Sequence, residues 1–337
     1  MDKIGVLGPG TWGAALARLL ANKGYDVTVW SALGSEIDDL NSTRVHPNLR
    51  EMKIPDSIVF TKDIEEAASG KDLVVFAVAS PYVRSVAKTA APYLSQDQLI
   101  VDVAKGIEAG TLCTMSRIIE EEVKRDGKHD DIRVGALSGP THAEEVALDL
   151  PTVIVSACPD REAAERIQEY FTTDVMRVYT NHDIYGVELC GALKNVMALA
   201  AGMCGGLGYG DNARAALITR GVGELARLGR KMGCEPRTFY GLTGLGDLIV
   251  TATSEHSRNN RCGRLIGSGM APDEAVRQIG MVVEGLNALE AAVELSQRYE
   301  VDMPIVSAVD SIIKGEVSAR EAVNGLMMRK RKNELED

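Results

Sequence analysis

In the first half of the chain, short apolar runs alternate with small-residue helical stretches. Ile4–Leu7 is an apolar run that meets a glycine cluster. An Ala- and Leu-rich stretch over Trp12–Asn22 predicts a helix, which Gly24 ends. Asp26–Trp30, with β-branched Val27 and Val29, predicts a second strand. The order is therefore β–loop–α–β. Leu73–Ala79 and Leu99–Ala104 are continuous apolar runs, the mark of strands buried on both faces. Helix-like stretches at Pro81–Tyr93 and near Thr111–Lys124 separate them, and Arg133–Leu137 and Thr152–Ser156 predict further strands. This alternation predicts an α/β N-terminal domain whose mostly parallel sheet is covered on both faces.

After about residue 183 the pattern changes. Helical stretches are expected at about Tyr185–Cys204, Asp211–Met232, Ala271–Gln278, Asn287–Tyr299 and Met303–Lys314. No strand and no repeat of fixed period stands out. Two domains are expected: residues 1–182, α/β, and residues 183–337, all-α. No unbroken apolar run reaches the ~18 residues of a spanning helix, so no membrane span is expected.

Composition adds exclusions. Lys and Arg number 37 against 48 Asp and Glu, a net charge of −11, which gives no electrostatic case for nucleic acid or an anionic membrane. Of 337 residues, 33 are glycine and only 4% are aromatic, so the core is built from Ala, Val, Ile and Leu and the backbone makes close approaches. The six cysteines include no CxxC pair, which reads as reduced thiols in a cytoplasmic protein with no metal site. The N-terminus has no basic segment of the kind that opens a signal peptide. Arg329-Lys330-Arg331-Lys332 reads as a solvated helix end.

The first loop, Gly8-Pro9-Gly10-Thr11-Trp12-Gly13, is a GxGxxG that follows a strand and opens a helix. In that context it is the fingerprint of a Rossmann-type dinucleotide site. Gly8 permits the tight turn, Gly10 admits a pyrophosphate to the backbone, and Gly13 lets helix pack on strand. The acid that usually binds the adenosine ribose is absent, since Trp30-Ser31-Ala32 stands at the end of the second strand. NADH and NADPH both remain open, with a lean to NADPH; Arg44 or Arg50 would have to fold back to hold a 2′-phosphate.

Chemistry-bearing residues are expected at the C-terminal ends of the strands. Lys105 and the Gly139-Pro140-Thr141-His142-Ala143 turn stand there. In the helical half, Lys194 has Cys190, Gly191, Met197 and Ala198 as helical neighbours, which would desolvate its ammonium and ready it as a base. The alternative is a lysine that snorkels to solvent. Asn195 beside it would orient a hydroxyl. Asp211 reads as an N-cap. Asp247, in a glycine-dense loop, would hold Lys194 or a substrate hydroxyl, or serve only as a turn residue. Ser257-Arg258-Asn259-Asn260-Arg261 suits a phosphate dianion, or is an exposed loop.

These segments carry a resemblance. GPGTWG at 8–13, AKGIE at 104–108, LSGPTHAEEVA at 137–147, ELCGALKNV at 188–196, GDNARAALITRG at 210–221, GLTGLGDLIVTATSEHSRNNR at 241–261 and VVEG at 282–285 run in one order over nearly the whole chain. The sequence resembles the bacterial-type NAD(P)-dependent glycerol-3-phosphate dehydrogenase family. The resemblance implies reversible hydride transfer between NAD(P)H and dihydroxyacetone phosphate, giving sn-glycerol 3-phosphate for glycerophospholipid synthesis. Lys194 matches the family's proton acceptor, with Asp247 and Asn195 setting geometry. Gly8, Gly10, Thr11, Trp12, Gly13, Ala32, Lys105, Ala143, Arg258, Val282 and Glu284 would contact cofactor. Lys105, Gly139, Thr141, Lys194, Asp247, Ser257, Arg258 and Asn259 would contact substrate. His142 stands where Phe is common in the family, Ala32 where a basic or imidazole side chain is common, and Asn260 where Arg is frequent. Two other readings are a hydroxyacid dehydrogenase of similar build and a non-catalytic NAD(P)H sensor. The small-residue helical faces leave room for a homodimer.

Overall fold

The structure is a computed structural model that describes residues 1–331, 333 and 334. Lys332, the last of the basic run, lies outside the described residues. The chain divides into two units, one of Met1–Lys105 with Cys113–Ile184, the other of Gly106–Leu112 with the chain from Tyr185 onward. The break expected near residue 182 thus falls after Ile184, and the short segment 106–112 groups with the helical unit.

In the first unit, eight strands form one sheet: β1 (Lys3–Leu7), β2 (Asp26–Trp30), β3 (Val59–Thr61), β4 (Leu73–Phe76), β5 (Leu99–Asp102), β6 (Arg133–Ser138), β7 (Thr152–Ala157) and β8 (Met176–Asn181). Their order is β3-β2-β1-β4-β5-β6-β7-β8. Every pair is parallel except β6 with β7. The central strands are the continuous apolar runs; all of β4 is buried, as parallel strands covered on both faces must be. Two apolar layers cover the sheet. The helices of this unit are α1 (Thr11–Asn22), α2 (Gly34–Thr43), α3 (Ile64–Ala68), α4 (Val83–Ala90), α5 (Met115–Val123), α6 (Ala143–Ala147) and α7 (Arg161–Phe171). Gly24, at φ +96°, ends the turn after α1 as expected.

The second unit is helical: α8 (Ile184–Gly206), α9 (Asp211–Lys231), α10 (Pro236–Tyr240), α11 (Asp247–Thr253), α12 (Arg258–Gly267), α13 (Pro272–Ile279), α14 (Glu284–Arg298), α15 (Pro304–Ile313) and α16 (Ala319–Met327). Helix α8 is its axis. Every residue from Gly186 to Cys204 is buried, so α8 has no polar face, the condition of a helix surrounded by protein. By length and composition alone α8 would pass as a membrane span, but it is buried within the protein along that whole stretch. Glycines bring α12 against α8. A Cβ at Gly202 would lie 2.1 Å from the Asn260 carbonyl oxygen, and one at Gly263 would lie 2.1 Å from that of Leu199. Helix α9 begins with Asp211, but the capping position is Gly210; Asp211 instead pairs with Arg214 at 3.1 Å.

Candidate active site

The first loop is built as its glycines require. Gly8 has φ +115°, and a Cβ there would meet the Ala77 carbonyl oxygen at 2.7 Å. A Cβ on Gly13 would sit 2.1 Å from the Gly8 carbonyl oxygen, so α1 starts in contact with the turn. At Gly10, by contrast, a Cβ would meet nothing within 4 Å. Gly10 caps α1 without any side-chain hydrogen bond, leaving the N–H groups of the first turn to an incoming acceptor. Open space, uncommitted N–H donors and the positive end of the helix fit a dinucleotide pyrophosphate. Thr11 and Trp12 form the first turn of α1, both half-buried.

Buried His46 supports this loop from behind, though no motif marked it. Its Nδ1 accepts from the Asn48 N–H at 3.2 Å, so Nε2 carries the proton and donates to the Pro9 carbonyl at 3.1 Å. Burial lowers its pKa below the usual histidine value.

Beyond β2, Ala32 is exposed. Sequence reading found no carboxylate here, but the fold supplies one. The Ser31 hydroxyl donates to Glu36 at 2.6 Å, placing a carboxylate from the first turn of α2 beside the strand end. Arg44 does not reach this point: it donates to the Ile58 carbonyl at 2.8 Å and lies over the Phe60 ring. Arg50 is exposed.

Past β5 and β6, the Gly139 carbonyl accepts from Lys105 Nζ at 3.1 Å and from the Thr141 hydroxyl at 3.2 Å. These three predicted residues therefore come together. Ala143 is the first residue of α6.

In the helical unit, Lys194 is buried in the middle of α8. Its Nζ donates to Asp247 Oδ1 at 2.6 Å and to the Thr251 hydroxyl at 2.5 Å. The snorkelling alternative fails. Burial opposes the ammonium charge, and the carboxylate supports it. Asp247 is not in a loop: it is the first residue of α11, after a π-type turn over Leu242–Gly246. That turn is tied to α8 through Thr243, whose hydroxyl donates to the Val187 carbonyl at 3.2 Å. Thr251, one helical turn after Asp247, donates to the Asp247 carbonyl at 2.7 Å. Sequence reasoning missed Thr251, because a single hydroxyl carries no signal until α11 is known to be a helix.

Asn195 is also buried, and its amide is already engaged. It donates to the Gly191 carbonyl at 3.2 Å and accepts from Asn259 at 2.9 Å, while Asn259 accepts from the Gly285 N–H at 2.9 Å. Asn195 and Asn259 thus lock α8, α12 and the start of α14 together. Ser257 caps α12 by accepting from the Asn260 N–H at 3.2 Å, and Asn260 donates to the Ala252 carbonyl at 2.8 Å. Of the predicted phosphate cluster from Ser257 to Arg261, Arg258 and Arg261 are exposed and the other three are buried. Arg258 sits on the first turn of α12, beside a helix N-terminus. Val282 is half-buried just before α14, and Glu284 is its first helical residue.

Comparison with known proteins agrees across the whole chain. Residues 3–164 match the family model for the N-terminus of NAD-dependent glycerol-3-phosphate dehydrogenase, and residues 183–324 match that for its C-terminus. Glycerol-3-phosphate dehydrogenase [NAD(P)+] 2 of Lactobacillus delbrueckii subsp. bulgaricus is 59% identical over 335 residues, covering 99% of both chains. The Bacillus subtilis enzyme of the same activity name is 46% identical over 340 residues, 100% of this chain and 97% of the relative. A crystal structure of glycerol-3-phosphate dehydrogenase from Coxiella burnetii superposes with a TM-score of 0.90 at 34% identity, over 97% of this chain and 99% of that one.

Proposed function

The chain belongs to the NAD-dependent glycerol-3-phosphate dehydrogenase family, and we propose that Lys194 is the proton-transfer group of its interconversion of dihydroxyacetone phosphate and sn-glycerol 3-phosphate. The observation that carries this reading is the buried contact of Lys194 with Asp247 at 2.6 Å and Thr251 at 2.5 Å. In reduction, the Lys194 ammonium gives a proton to the carbonyl oxygen of dihydroxyacetone phosphate. In oxidation, the amine takes it back from the hydroxyl. Asp247 keeps the ammonium form accessible in a buried site, and Thr251 fixes the direction of Nζ. Asn195 acts as a positioning residue, holding α8 to α12 through Asn259.

When bound, the nicotinamide cofactor supplies or accepts the hydride. Gly8, Gly10, Thr11, Trp12 and Gly13 would hold its pyrophosphate through the N-terminus of α1, and Ala143, Val282 and Glu284 are assigned to the same ligand. Lys105, held by Gly139 and flanked by Thr141, would bind cofactor and substrate. Arg258, with the first turn of α12, would take the substrate phosphate; Ser257 and Asn259 serve by fixing that turn. Glu36 beside the ribose position weighs toward an unphosphorylated ribose, although either NADH or NADPH would serve. The product is a precursor of glycerophospholipids, and we place the reaction in the cytoplasm, carried out by a homodimer.

Initial rates with dihydroxyacetone phosphate, taken with NADH and with NADPH, test the reading. Turnover with at least one cofactor is expected. Cofactor binding without turnover would mean a sensor, and turnover with hydroxyacids alone would mean a different dehydrogenase. Sedimentation of the purified chain checks the dimer.

A further inference from the structure

A cavity of about 670 Å³ lies in the helical unit, between α9, the start of α15 and α16. It shares none of the residues assigned to the reaction. Its volume falls within the range of roughly 300–1,000 Å³ typical of small-molecule sites. Its walls are apolar, from Ala213, Ala216, Leu217, Ile305, Val323 and Leu326. Ile305 is buried, Ala213, Leu217, Val323 and Leu326 are half-buried and Ala216 is exposed, so the apolar surface runs from a buried floor out to the mouth.

Charge around the cavity runs against the chain as a whole. The protein carries −11, yet six cationic side chains line the cavity against three acidic ones. Arg220, Arg230, Lys231 and Lys330 are exposed, so their charges stand at the mouth. Some of this charge is locally neutralised. Arg329 pairs with Asp302 at 2.5 Å, and Arg227 donates to the Asp302 carbonyl at 3.2 Å. The side chains of Arg220, Lys231 and Lys330 have no hydrogen-bond or ion-pair partner among the described residues. The acid nearest the floor, Glu224, is committed to capping α15, accepting from the Ile305 N–H at 2.8 Å and from the Val306 N–H at 3.4 Å. Unpaired cations at the mouth of an apolar cavity, in an acidic protein, match a ligand with an anionic head and an apolar tail. The cations would bind the head by charge-assisted hydrogen bonds, and the walls would exclude water from the tail.

We propose that this cavity is a second ligand site, separate from the reaction centre, for a single-chain amphipathic anion such as an alkyl phosphate or a fatty carboxylate.

Calorimetric titration with dodecyl phosphate below its micelle concentration tests this, using butyl phosphate, inorganic phosphate and dodecyl maltoside as comparison probes. Dodecyl phosphate is expected to bind about tenfold or more tightly than butyl phosphate, because the longer tail buries more apolar surface. Inorganic phosphate and the uncharged maltoside are expected to bind more weakly still. The exposed double variant Arg220→Glu/Lys231→Glu should weaken dodecyl phosphate about tenfold or more, since close like charges repel it, while initial rates with dihydroxyacetone phosphate stay as in the unmodified chain. Arg258→Ala should leave dodecyl phosphate affinity unchanged. Equal affinity in the double variant, or loss of binding in Arg258→Ala instead, would overturn the proposal. So would a chain that binds none of the probes but dissociates from dimer to monomer when Arg220 and Lys231 are reversed. That result would make the cavity an interface between copies.

Discussion

Lys194 of α8 and Asp247 of α11 form an ion pair inside the helical unit, with side-chain exposures of 6% and 1% and an Nζ–Oδ1 distance of 2.6 Å. Removing one partner strands a buried charge, at about 3–5 kcal/mol. Asp247→Ala is therefore expected to lose both stability and activity. The double variant Lys194→Met/Asp247→Leu removes both charges and should regain much of the lost stability in urea melts. Its turnover should still be down by about 10²-fold or more, the scale of lost acid–base help. Near-normal turnover in a folded double variant would take Lys194 out of the chemistry. Thr251→Val, which keeps shape and loses the hydroxyl, should lower turnover and shift its pH profile while leaving the fold intact.

Arg258 is exposed on the first turn of α12, while its neighbours Ser257 and Asn259 are buried and occupied. Of the three residues assigned to the substrate here, Arg258 should therefore make the main side-chain contribution to phosphate binding. Arg258→Ala is expected to raise the KM for dihydroxyacetone phosphate about tenfold or more, as loss of a hydrogen bond to a charged group implies. Arg258→Lys should recover part of the effect by restoring charge without the paired geometry. An unchanged KM would place the phosphate elsewhere.

How legible the fold was depended on burial. The central strands β1, β4 and β5 announced themselves as apolar runs because both faces are covered. The sheet edges did not. β3 has three residues, and β8 alternates buried Met176 and Val178 with exposed Arg177 and Tyr179, so neither makes a continuous run. The glycines of 241–246 looked like a loop. One of them is there for contact, since a Cβ on Gly244 would lie 2.0 Å from the Phe239 carbonyl oxygen. The turn they form feeds Asp247 into a helix. Residue chemistry pointed to Lys194, Asp247 and Arg258, whose charge needs explaining wherever it sits. It did not separate Arg258 from Ser257, Asn259 and Asn260, whose polar groups are spent on capping and bridging. Nor did it find Glu36, which reaches the end of β2 only through its hydrogen bond with Ser31.

That placement of Glu36 bears on cofactor choice. A carboxylate beside the adenosine ribose repels a 2′-phosphate and tolerates a 2′-hydroxyl. Glu36→Gln should raise kcat/KM for NADPH relative to NADH about two- to fivefold, the scale of an exposed charge interaction of up to ~1 kcal/mol. The ratio of the two initial-rate constants measures it. An unchanged ratio would show that Glu36 does not face the ribose.

Glu224 sets a different pH response, one of stability. It is buried in α9 and caps α15 from the side, and burial pushes its pKa up to about 7, with Asp302 adding to the rise and Arg227 and the two backbone N–H groups opposing it. In the unfolded chain its pKa is that of an ordinary glutamate, about 4.3. Between these values the folded state holds the proton and the unfolded state has released it. Folding stability from this group therefore falls as pH rises from about 4.3 through 7, by at most about 4 kcal/mol. Glu224→Gln keeps an acceptor for the Ile305 N–H and cannot ionise. The variant should gain stability relative to the parent as pH is raised from 5 to 8, read as a widening gap between their urea midpoints. A gap that stays constant with pH would mean that Glu224 ionises as freely inside the fold as outside it.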